Sequence, residues 1–127
     1  MTWRWLSERG VLATHAEQIA EHGGAPGVRD RGLLDSALAR PRNLAAYGEP
    51  SVFRLAAAYA FGIARNHPFV DGNKRTALVA AATFLLLNGY ELAAPEVEAV
   101  EVFLRLADGS VDEGALAAWL ERNSIQG

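Results

Sequence analysis

The 127-residue chain contains no cysteine. A disulfide framework, a thiolate nucleophile and a cysteine-held metal are therefore excluded together. Lysine is nearly missing as well: of twelve basic residues eleven are arginine, and the single lysine is Lys74. No apolar run approaches the ~20 residues that a membrane helix needs. The amino terminus, Met-Thr-Trp-Arg-Trp, lacks the charged-then-apolar pattern of a leader. A cytoplasmic protein with no membrane partner is the expectation. Internal repeats and low-complexity tracts are also missing, and 127 residues suffice for one unit with its own core. A single domain spanning 1–127 is expected.

What is present is ordinary in bulk and uneven in placement. Half the residues are hydrophobic and the formal net charge is −3, which argues against a dedicated nucleic-acid binder. Residues 1–75 carry ten Lys+Arg against seven Asp+Glu, whereas residues 76–127 carry two against eight. The positive half could receive an anionic ligand or an acidic partner.

Patterning predicts an all-α bundle of about six helices. Ser7 reads as an N-cap for a helix ending at Gly23-Gly24, with Val11, Leu12, Ala16 and Ile19 as its apolar stripe. Asp30 caps a short helix from about Arg31 to Ala39 that Pro41 stops, leaving 41–50 as a mobile connection bracketed by prolines. Ser51 caps a helix that ends by His67, because Pro68 disfavours helical geometry before it. Another helix opens near Asn73 and closes at Asn88-Gly89. Pro95 starts a fifth, with Val97, Val100, Phe103, Leu104 and Ala107 facing in. Ser110 and Glu113 form a capping box for the last. Trp3 and Trp5 read as core-packing rings, and His15 and His22 as surface or hydrogen-bonded side chains.

The chemistry-bearing residues gather in one stretch, His67-Pro-Phe-Val-Asp-Gly-Asn-Lys-Arg-Thr76, between the two most apolar helices. A helix N-terminus offers unpaired N–H groups and partial positive charge, a natural phosphate site. Gly72 permits close backbone approach, Lys74 and Arg75 add full charge, and Arg65 arrives from the preceding helix. Asp71 is a carboxylate among cations, where a magnesium ligand belongs. His67 is the one group nearby that takes a proton at neutral pH. Base, metal ligand and anion cradle together point to phosphoryl or nucleotidyl transfer. A Walker A loop is excluded, since it needs Gly before the Lys and Asn73 stands there. Each residue also has a duller role: Asp71 as a helix cap, Phe69 as a core wedge, Asn73 as a partner for loop backbone.

The run HPFVDGNKRT resembles the motif of the Fic/Doc superfamily, in the lysine form of its Doc (death-on-curing) toxins. Gly27-Val-Arg-Asp30, Asn66-His-Pro-Phe69, Leu87-Asn-Gly89 and Ala118-Trp-Leu120 look like that family in the same order. Fic proteins, mostly AMP transferases, carry Gly where this chain has Lys74, and a second Arg where it has Leu78. Doc toxins share both departures. The resemblance implies a helical protein kinase that phosphorylates a threonine of elongation factor Tu with ATP and Mg²⁺, arresting translation. A cognate, Phd-like antitoxin would neutralise it. By that likeness His67 is the general base and Asp71 holds magnesium. Asn73, Lys74 and Arg75 bind phosphates, Gly72 supplies amides, Arg65 assists, and 41–50 is a flap for the target's chain. Lys74 would decide which phosphate faces the hydroxyl. No Ser or Thr has Glu four residues on, so the self-inhibitory helix of some Fic proteins is missing and inhibition would come from a separate partner. AMP transfer is the alternative chemistry, and a catalytically silent antitoxin-binding protein the alternative of another class.

Overall fold

A computed structural model describes residues 2–127. Six helices follow in order: α1 (Glu8–His22), α2 (Arg31–Ala46), α3 (Val52–Asn66), α4 (Asn73–Leu87), α5 (Glu96–Asp108) and α6 (Glu113–Arg122). The expected all-α architecture is what the chain adopts. Helix α3 is its axis. Eleven of its fifteen residues are buried, and it packs on α2, α4, α5 and α6. The reason lies in side-chain size: Ala56, Ala57, Ala58, Ala60 and Gly62 let neighbouring backbones approach closely. A Cβ placed on Gly62 would stand 2.9 Å from the Cα of Ala37, so α2 tolerates nothing larger there.

The N-caps are largely where the sequence puts them. Ser7, Asp30 and Ser51 accept from the backbone N–H groups of Gly10, Leu33 and Arg54. Trp3 and Trp5 both pack beside Phe84, with ring centroids 6.4 and 5.9 Å away. The N–H of Leu6 donates to the buried hydroxyl of Tyr59 (3.1 Å), joining this segment to α3. Burial pushes the Tyr59 phenol up from its ordinary pKa, outweighing the bond from Leu6 N–H, which pulls the other way.

Several expectations are corrected. Pro41 does not end α2, which runs through it to Ala46. The ring is buried against the core, and Leu44 and Ala45 beyond it also pack there, so tertiary burial outweighs the lost hydrogen bond. The connection is accordingly 47–51 rather than 41–50. Ser110 is no cap; it bonds Asp108, and Asp112 caps α6 by accepting from Ala115 N–H at 2.7 Å. The inward stripe of α5 is Ala99, Phe103 and Leu106, while Val97 is 82% exposed. Between α4 and α5, Tyr90–Leu92 (β1) pairs antiparallel with Ser124–Gln126 (β2). On α1 the buried positions are Val11 and His15, with Ala16 exposed.

Candidate active site

The loop between α3 and α4 is built around two left-handed residues. His67, at φ 50° and ψ 58°, is the one non-glycine residue with positive φ among the described residues. Gly72 follows at φ 74° as the N-cap of α4. A left-handed side-chain-bearing residue costs ~1–2 kcal/mol. The compensation is nearby: Phe69 is wholly buried, and burying such a ring contributes ~1.5–3 kcal/mol. The wedge therefore holds the turn.

Three further contacts fix the loop. The ring of His15 lies flat on Phe69, with centroids 3.9 Å apart, and its Nε2 donates to the carbonyl oxygen of Asp71 at 2.8 Å. The amide of buried Asn73 closes on Phe69 at both ends. Its Oδ1 accepts from Phe69 N–H and its Nδ2 donates to Phe69 C=O, each at 3.0 Å. The segment before α2 forms a bridge between Val28 and Phe69, with Arg29 and Asp30 N–H both donating to Pro68 C=O. The loop is thus shaped by groups on α1, α4 and the segment entering α2.

Asp71 does not take the duller role. No side chain caps α4; the carboxylate Oδ2 accepts instead from Ala25 N–H (3.0 Å). The first turn of α4 holds Lys74 and Arg75 and no acid. Cations there oppose the helix dipole by ~0.3–1 kcal/mol each. An uncapped, doubly positive helix start is poorly arranged for the chain alone and well arranged for an anion. Lys74 is exposed, and Arg75 Nη1 lies 3.4 Å from His22 Nε2.

Two expected phosphate contacts sit elsewhere. The amide of Asn73 is engaged with Phe69, so it shapes the loop. Arg65 lies 5.3 Å over the Phe61 ring and about 4 Å from where a Gly109 Cβ would be, turned toward the α5–α6 connection. What the loop does bring together is His67, Asp71, Gly72, Lys74 and Arg75. Sequence reasoning assigned no role to Arg29 or to the stacking of His15. The available signal for His15 was its spacing four residues after Val11, on the inward face of α1.

Among the described residues no cluster of three or more His, Asp or Glu could hold a metal by itself. Mg²⁺ does not require one, since it is commonly bound by one or two carboxylates plus substrate phosphates and waters. Asp71, with one carboxylate oxygen not engaged by Ala25, suits that donor set.

We expect Asn73→Ala to lower stability by ~2–4 kcal/mol, because it strips partners from two buried backbone groups of Phe69. Urea unfolding measures this, and a loss under 0.5 kcal/mol would show that Asn73 does not hold the loop.

A groove of about 680 Å³ runs from the 47–51 connection to Asn66, beside His67, with Arg40, Asn43, Tyr47 and Arg54 along it. A larger hollow of about 1130 Å³, between Trp3, Trp5, Arg42, Phe53 and Tyr90, borders none of the loop residues.

Residues 5–85, which include the His67–Arg75 loop and most of the two central helices, match the family model described as Fic/DOC. The chain belongs to the Fic/DOC family. Within it, the protein named Toxin Doc from Mycolicibacterium smegmatis is 52% identical over 93 residues, covering 71% of this chain and 68% of its own. Protein kinase doc from Escherichia phage P1 is 34% identical over 121 residues, 94% of both chains. No helix among the described residues is long and apolar enough to cross a membrane.

Proposed function

We propose that this chain is a Doc-type toxin that transfers the γ-phosphate of ATP to a threonine or serine hydroxyl of a translation factor of the elongation factor Tu kind. A cognate, Phd-like antitoxin neutralises it. The observation that carries this reading is the start of α4: a left-handed glycine, no side-chain cap, and two cations without an acid. That is a cradle for a polyphosphate. The likeness to a relative named as a protein kinase favours phosphoryl transfer over AMP transfer.

In this mechanism the imidazole of His67 accepts the proton of the target hydroxyl. The freed oxygen attacks the γ-phosphorus, the bond to the bridging oxygen breaks, and ADP leaves. Lys74 and Arg75 stabilise charge on the transferring phosphoryl, as do the unpaired N–H groups of the first turn of α4. Asp71 would hold Mg²⁺, which when bound neutralises triphosphate charge. Asn73 contributes through loop shape. The target's chain would lie in the groove beside Asn66, where Tyr47 is 92% exposed.

The test is incubation with Mg²⁺ and either α- or γ-labelled ATP in a bacterial lysate. Label from γ-ATP alone on one protein band is the expected result. Label from α-ATP would establish AMP transfer, and label from neither would favour a silent binding protein.

A further inference from the structure

The left-handed turn at His67 is held from outside its own helix pair. Arg29, on the strand-like segment before α2, donates from Nε to the carbonyl oxygen of His67 at 2.7 Å and from Nη2 to that of Asn66 at 2.8 Å. These are among the carbonyls that the end of a helix leaves without an intrahelical partner. The other five helices close with the cap residue's own N–H bonded back to a carbonyl of the last turn. Helix α3 ends instead on a guanidinium that arrives from 37–38 residues earlier in the chain. The backbone of the same residue reinforces the contact, since Arg29 N–H donates to Pro68 C=O at 2.7 Å. Three successive carbonyls, those of residues 66, 67 and 68, thus all point at Arg29.

We infer that Arg29 is a positioning residue for the transfer reaction: its guanidinium fork holds the His67 backbone left-handed and so aims the imidazole. This rests on the reading above that His67 takes the target's proton. The planar fork suits two adjacent acceptors, and its positive charge suits the negative end of a helix. The phosphate cradle lies on the other side of the loop, at Gly72 and beyond, and Arg29 makes no bond to it. Its removal should therefore disturb proton transfer and leave nucleotide binding alone. A group held by backbone bonds alone, in a region of φ that side-chain-bearing residues avoid, has nearby alternatives to fall into. A misplacement near 1 Å can cost ~10²-fold in rate.

The experiment compares the full chain with Arg29→Ala and Arg29→Lys. Circular dichroism checks the helices, label transfer from ATP gives kcat and KM, and ¹H–¹⁵N spectra of histidine-labelled protein follow the three histidine amides without any turnover. For Arg29→Ala the expected results are native helix content, a KM for ATP within twofold, and a kcat lowered ~10–10²-fold. The His67 amide resonance should move or broaden while those of His15 and His22 stay in place. Arg29→Lys, able to keep one of the two bonds, should lie between, and it decides the matter should the alanine variant unfold. An unmoved His67 resonance, a kcat within twofold of the parent, or a loss confined to KM would each overturn the inference. If the parent chain transfers no label at all, the proposed reaction fails, and the amide spectra still show whether Arg29 holds His67.

Discussion

Replacing His67 by alanine is expected to slow transfer by ~10²–10⁴-fold, the usual contribution of a general base, while leaving the six helices in place. The expectation of an intact fold comes from which atoms of His67 are used. Its carbonyl is bonded by Arg29, and any residue supplies a carbonyl. Its side chain is exposed. What the side chain costs is the left-handed backbone, so a companion glycine variant separates chemistry from strain. His67→Gly should be equally inactive yet more stable than His67→Ala by ~0.5–1 kcal/mol, since glycine adopts positive φ without the clash and gives back part of the gain as chain entropy. Denaturant unfolding of the two proteins, together with label transfer by each, tests both halves. An active alanine variant would remove His67 from the reaction, and an alanine variant more stable than the glycine one would deny the strain.

Where local chemistry decided the structure, it could be read from the sequence. Ser7, Asp30 and Ser51 each satisfy an N–H three residues on, a requirement confined to one turn. Pro68 ends α3 because of a clash with its immediate neighbour. The candidate site is confined in the same way, its five positions from His67 to Arg75 falling within nine consecutive residues. Where distant packing decided, the reading failed. Pro41 is a helix breaker by local rules, but its ring lands against the core and α2 continues for five more residues. The pairing of Tyr90–Leu92 with Ser124–Gln126 joins segments more than thirty residues apart, and three-residue strands leave almost no periodic trace. Asn73 had two readings from sequence, a phosphate ligand and a partner for loop backbone, and nothing local chose between them. Only the fold shows both ends of its amide on Phe69. Arg29 was invisible in the same way, since nothing near it in sequence needs a cation, whereas the end of α3 does.

Substituting Lys74 is expected to change which phosphate is transferred. Lys74 is the second residue of α4, exposed, and has another cation beside it. It opposes the helix dipole, so Lys74→Ala, which removes the charge without the ~1 kcal/mol helix cost of a glycine, should leave the ligand-free protein as stable as before or steadier by ~0.3–1 kcal/mol. A residue kept for the fold would behave in the opposite way. In the presence of ATP and Mg²⁺ the order should reverse, because the parent gains a charge-assisted contact to the triphosphate that Lys74→Ala lacks. The likeness of the loop to Doc toxins, which carry lysine where AMP-transferring relatives carry glycine, gives the direction of the chemical outcome. In the proposed reaction an ammonium at this position would occupy the space a glycine leaves open and draw the γ-phosphate toward the incoming hydroxyl. Without it, the triphosphate can lie in the opposite sense and present its α-phosphate. In the proposed mechanism His67 would serve either orientation, since its role there would be to take the hydroxyl proton. Lys74→Gly should therefore lose γ-transfer by ~10²-fold or more, the scale of losing one charge-stabilising group, and should show weak α-transfer. Lys74→Arg should also fall, since a planar fork cannot reproduce a compact point charge. Thermal melts with and without ATP and Mg²⁺, run beside α- and γ-label transfer on one target, read all of these effects. Undiminished γ-transfer by the glycine variant would show that the single lysine of the chain does not set the reaction, and a ligand-free protein weakened by Lys74→Ala would return it to the scaffold.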